Sequence, residues 1–104
     1  MPPGFKAVTR HRGESLEVAL VGELDMAATF KLESDLERLL AAGDVRRLVL
    51  DLEGLTFIDS PGLGALLAIR ERTQDLGIEM ALTNISAPVG RILDLSGLRA
   101  ALVD

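Results

Sequence analysis

The nearly continuous apolar run Leu48-Val49-Leu50-Asp51-Leu52 constrains the fold of this chain more than any other stretch. Runs without polar alternation belong to strands covered on both faces, as in a parallel sheet. The residues before it complete a unit. From Glu14 to Val21 the pattern alternates, with Leu16, Val18 and Leu20 on one side and Glu17 and Ala19 on the other, which predicts a half-buried strand. Gly22 is expected to break that strand, and Asp25 stands where a helix N-cap belongs. Ala28, Leu32, Leu36, Leu39 and Leu40 then follow at helical spacing, and Gly43 closes the helix. Strand, helix and strand joined in this way make a βαβ crossover, which is normally right-handed.

The flanking segments extend the same layout. His11-Arg12-Gly13-Glu14 reads as a turn, so Phe5 to Arg10 is expected to form the other arm of a hairpin. After Leu55-Thr56-Phe57-Ile58, the run Asp59-Ser60-Pro61-Gly62 stops one element and starts another. Ser60 reads as the N-cap and Pro61 as the first helical residue. Leu63, Leu66, Leu67 and Arg70 define one face of this second helix, which ends near Gly77. Ile78 to Thr83 reads as a strand. Ser86 can cap a third helix with Val89, Ile92 and Leu93 on one face and Gly97 at its end, and Leu98 to Val103 reads as a last short strand. The expected fold is α/β, a mixed four- to five-stranded sheet flanked by helices. With 104 residues, positions 1–104 are expected to form a single domain.

Composition excludes several functions. Eleven basic against sixteen acidic residues give a net charge of −5, and phosphate backbones repel such a surface, so no nucleic-acid partner is expected. There is no cysteine, which removes disulfides and thiolate metal sites. No apolar run approaches the ~20 residues that span a bilayer. Met1-Pro2-Pro3-Gly4-Phe5-Lys6 lacks the layout of a signal peptide, so a cytoplasmic protein without direct membrane insertion is expected.

Catalytic readings also fail. The single histidine, His11, lies in a polar turn, and no histidine follows Ser60 as a hydrolase triad would require. Gly62-Leu63-Gly64 is not followed by the Lys-Ser/Thr of a phosphate-binding loop. The pairs Glu23/Asp25 and Asp51/Glu53 read as solvated charges at strand ends. No catalytic residue, metal site or cofactor site is expected, and the chain does not read as an enzyme.

Ser60 stands apart, because its setting has a physical use. As a helix cap alone it would contribute about 1 kcal/mol. A hydroxyl at a helix N-terminus also sits among unpaired amides at the positive end of the dipole. A phosphate there, with a charge of about −2, is tolerated by the fold while Asp59 beside it repels it, so a partner pressed on this corner meets new bulk and charge.

At these residues the sequence resembles the STAS-domain anti-sigma-factor antagonists. The resemblance rests on Gly22-Glu23-Leu24-Asp25, on Leu50-Asp51-Leu52 through Phe57-Ile58-Asp59-Ser60-Pro61-Gly62-Leu63-Gly64-Ala65-Leu66-Leu67, and on Leu95-Ser96-Gly97-Leu98. It implies a STAS fold, with Ser60 as the phosphorylation site. It also implies an anti-sigma factor with serine kinase activity as partner. That partner is bound while Ser60 is unphosphorylated and released afterwards, and a phosphoserine phosphatase resets the switch. Asp25, Asp59, Ser60, Gly62, Leu63 and Gly64 are the implied partner-binding residues, with Asp25 near Ser60. Two departures stand out: Pro61 replaces the hydroxylated residue usual after the serine, and the chain stops at Asp104, where relatives carry a further helix. An uncovered sheet there permits weak self-association. The alternatives are an accessory subunit of a lipid or anion transport system or stress-signalling assembly, a nucleotide-binding domain, and a scaffold with Ser60 unmodified.

Overall fold

The computed structural model describes residues 4–102, apart from the side chain of residue 101. Strands β1 (Phe5–Arg12) and β2 (Ser15–Leu24) form the expected hairpin, which turns at Gly13 with φ +60°. Helix α1 (Met26–Ala41), β3 (Arg47–Asp51), β4 (Leu55–Ile58), α2 (Ser60–Leu76), β5 (Glu79–Thr83), α3 (Ala87–Ser96) and α4 (Arg99–Leu102) follow. The five-stranded sheet runs β1-β2-β3-β5, with β4 paired to β2 off that path. The hairpin is antiparallel and every other pairing is parallel, so the mixed α/β architecture is the expected one.

The strand β2 organises the sheet by changing partners. Its first half, Ser15 to Ala19, pairs with β3, whereas Gly22 to Leu24 pairs with β4 across a register shift at Gly22/Glu23. Gly22 therefore does not break the strand, as its sequence position suggests; it bends it. Its φ of +99° and the Gly4 carbonyl lying where a Cβ would go require glycine at this position. The irregularity carries the last turn of β2 toward β4, and the two strand ends Leu24 and Ile58 come into register.

One hydrophobic core lies between the sheet and the helices. Leu16, Val18, Leu20, Leu48 and Leu50 enter it from the sheet and are buried, as are Leu32, Leu36, Leu66 and Leu93 from the helices. Glu17, Ala19 and Val49 point to the other face and remain partly exposed. The expectation that β3 is covered on both faces is thus corrected. Val49 hides the alternation because a small apolar residue stands where a polar one would have marked the open side.

Two further local expectations change. Residues 99–102 form helix α4, not a strand, and Leu102 is buried in the core, while Val103 lies outside the described residues. The Arg99 guanidinium donates to the Gly90 carbonyl at 3.2 Å and pairs with Asp94, which folds this segment back onto α3. Ser86 does occupy the N-cap position of α3, but its hydroxyl donates to the Leu55 carbonyl at 2.6 Å and makes no cap hydrogen bond. It ties the helix to β4.

Candidate functional site

Parallel strands that end in register deliver two helix starts to one edge of the sheet. Leu24 and Ile58 are partners in the ladder, so Asp25 and Asp59 follow side by side as the caps of α1 and α2. Each aspartate accepts a hydrogen bond from the amide three residues on, Ala28 and Gly62 respectively, both at 2.9 Å. The carboxylates also meet the positive ends of two parallel dipoles. Asp25 is therefore a structural cap, not merely a solvated strand-end charge. Asp51 has a comparable role, accepting from the Glu53 amide at 3.1 Å and from Asn84 Nδ2 at 3.2 Å.

Asp59 rather than Ser60 is the N-cap of α2; Ser60 is its first residue and Pro61 its second. This correction changes the surroundings of the serine. Gly62 N–H is taken by the Asp59 carboxylate and Leu63 N–H by the Asp59 carbonyl at 2.9 Å, while proline has no N–H. The expected cluster of unpaired amides around Ser60 is absent; only its own N–H remains. The helix start therefore offers few free donors beside the Ser60 hydroxyl, and the Asp59 carboxylate is its neighbour.

The other site residues divide between surface and support. Asp25, Ser60 and Gly64 are exposed and Asp59 is half-buried. Gly62 and Leu63 are buried beneath this edge and support it without offering contact area. A Cβ on Gly62 would lie 2.6 Å from the Leu24 carbonyl oxygen and 2.8 Å from Ile58 Cγ1. Glycine is thus what lets the start of α2 rest on the ends of β2 and β4. His11 lies exposed in β1, away from this edge. Among the described residues no cluster of His, Asp or Glu could hold a metal ion, and no helix is long and apolar enough to cross a membrane.

The two caps give a direct check on this geometry. Asp59→Ala is expected to lower unfolding stability by about 1 kcal/mol, whereas Asp59→Ser, which keeps an acceptor, should lie within a few tenths of wild type. Urea denaturation of the three proteins measures both differences. Equal midpoints for wild type and Asp59→Ala would contradict the cap assignment.

Sequence reasoning missed the role of Asp59 and the exposure of Met26 and Phe30 on α1. The first was legible in the repeat of Leu-Asp and Ile-Asp before each helix. The second was legible in the helical spacing, which sets Met26 and Phe30 in line with Glu33 and Glu37, off the Ala28, Leu32 and Leu36 face.

A family model, STAS domain, matches residues 6–102. The anti-sigma F factor antagonist of Paenibacillus polymyxa is 38% identical over 88 residues, covering 85% of this chain and 74% of that protein. The anti-sigma factor antagonist SpoIIAA in its unphosphorylated form is 25% identical, with a TM-score of 0.79 over 97% of this chain and 86% of that one. The phosphorylated form of SpoIIAA from Bacillus has the same fold at 24% identity, with a TM-score of 0.74 over 97% of this chain and 89% of that one.

Proposed function

The chain belongs to the STAS-domain family, and from that premise we propose that it is an anti-sigma factor antagonist, a cytoplasmic single-domain partner switch controlled at Ser60. The observation that carries the reading is the exposure of Ser60 at the first position of α2. Asp59 caps that start and Gly62 seats it against Leu24, so modification alters the surface and leaves the fold in place. The relatives named as anti-sigma factor antagonists support the partner class, and SpoIIAA occurs in both phosphorylation states.

The partner is an anti-sigma factor that is also a serine kinase. For transfer, Ser60 Oγ must lie in line with the γ-phosphorus of ATP bound to that partner. The Oγ–P bond forms, the bond from the γ-phosphorus to the β,γ-bridging oxygen breaks, ADP is the leaving group and stays in the partner's nucleotide site, and the serine proton passes to a base or solvent. Phosphoserine then faces ADP across the interface. Two phosphate groups and the Asp59 carboxylate are crowded together, and the complex separates. A phosphatase restores the hydroxyl by hydrolysis, releasing inorganic phosphate.

The test incubates the purified protein with ATP and, in turn, each kinase-like anti-sigma factor of its own cell, then maps the phosphate by mass spectrometry. Stoichiometric phosphate on Ser60 with one of them, and none on Ser60→Ala, is expected. Phosphate on another residue, or on none with any candidate, refutes the switch.

A further inference from the structure

We propose that Met26 and Phe30 form an apolar anchor for the anti-sigma factor beside Ser60, received by an apolar pocket rimmed with arginine or lysine. The inference rests on the partner-switch reading and extends its surface onto a second helix.

The placement follows from the pairing of α1 and α2. Both helices start at the same sheet edge and run parallel, and Glu37 of α1 binds Arg72 of α2 through two contacts of 2.8 and 3.1 Å. Glu33 and Glu37 line the groove between the helices together with Ala68 and Arg72. Seven residues make nearly two turns, with a drift of only ~20°. Met26 therefore stands in line with Glu33, and Phe30 with Glu37, each nearer the N-terminus of α1. The same step back along α2 from Arg72 and Ala68 reaches Ala65 and Pro61, beside Gly64 and Ser60. The two segments thus lie at the same height on adjacent helices.

Three observations then point to an occupant. Phe30 is 68% exposed and Met26 57% exposed, a pair spaced four apart on one helix and apolar beyond anything the core requires. Gly64 is exposed one turn beyond Ser60 on α2, and a Cβ built there meets nothing within 4 Å. Glycine disfavours a helix, so the fold gains nothing from it. What its missing side chain provides is open space beside Ser60, on the helix next to α1, that another chain can enter closely. Finally, the rim is acidic: Asp25 is exposed, and Glu33 and Asp59 are half-buried. A second copy would set these acids, and a net charge of −5, against their own kind. A basic-rimmed partner is complementary to them. Release on phosphorylation comes from the phosphoserine meeting the nucleotide and Asp59, not from Asp25 or Glu33.

The test titrates the purified anti-sigma factor that phosphorylates Ser60 with wild type, Phe30→Ala, Gly64→Ala and Ser60→Asp. Phe30→Ala is expected to bind at least about tenfold more weakly with a melting temperature near wild type, because Phe30 is 68% exposed in the free protein. In the kinase reaction it should raise KM and leave kcat near wild type. Gly64→Ala should melt above wild type yet bind several-fold more weakly. Wild-type affinity should fall as salt rises. If Phe30→Ala binds within about twofold of wild type while Ser60→Asp does not bind, the anchor is refuted and the switch stands. Affinity indifferent to salt refutes the basic rim. If no anti-sigma factor of the cell binds or phosphorylates wild type, the switch and the anchor fall together.

Discussion

Ser60→Asp is expected to abolish binding of the anti-sigma factor while leaving the domain folded. The added carboxylate stands at the first position of α2, where the dipole favours it by about 0.3–1 kcal/mol and the neighbouring Asp59 opposes it by a similar amount. Unfolding stability should therefore stay within about 1 kcal/mol of wild type. At the interface nothing offsets the change. The new charge meets the nucleotide phosphates of the partner, and a loss of at least about 100-fold, or ~2.7 kcal/mol, is expected by titration calorimetry. Ser60→Ala should bind as wild type does and resist release by ATP. Normal binding by Ser60→Asp would remove the switch, and unfolding of that variant would remove the claim that the helix start is independent of the serine.

Gly62→Ala is expected to destabilise the protein by about 2–4 kcal/mol, combining overpacking with loss of the Asp59 cap geometry. Alanine ordinarily improves a helix, so the sign is diagnostic. Here the new methyl would lie 2.6 Å from the Leu24 carbonyl, which belongs to a paired strand and cannot yield easily. The start of α2 must lift, taking the Gly62 amide away from Asp59. Thermal unfolding should move down by on the order of 10 °C or more for a domain of this size. Gly64→Ala, two residues along the same helix with open space above it, should move the other way. Matching shifts in the two variants would contradict the close approach at Gly62.

Much of this was legible along the chain. The alternation in Leu16-Glu17-Val18-Ala19-Leu20, the helical spacing of Leu32, Leu36 and Leu40, and the left-handed glycines Gly77 and Gly97 after α2 and α3 are local signals, and the structure follows them. The exposed position of Ser60 was equally legible, because a stop signal after an apolar strand marks a corner. Asp25 stands in both readings as the cap of α1.

The sequence by itself determined the elements up to α3, their order and the α/β class, because period, caps and turn residues act over a few positions and need no distant partner. Only the tertiary structure decided what depended on contacts across the chain. Whether Gly22 ends a strand or bends it depended on Gly4 and on β4. Whether β3 is covered on one face or two depended on where all the helices landed, and Val49 carried no mark of the open side. Residues 99–102 became a helix because Arg99 found Asp94 and the Gly90 carbonyl. Asp59 displaced Ser60 as the cap because a charged acceptor suits the dipole end better than a hydroxyl. Met26 and Phe30 remained in solvent because the groove beside them is closed by Glu37 and Arg72 only further down. Spacing tells which face an element turns inward, but how fully that face is covered is a property of the assembled surface.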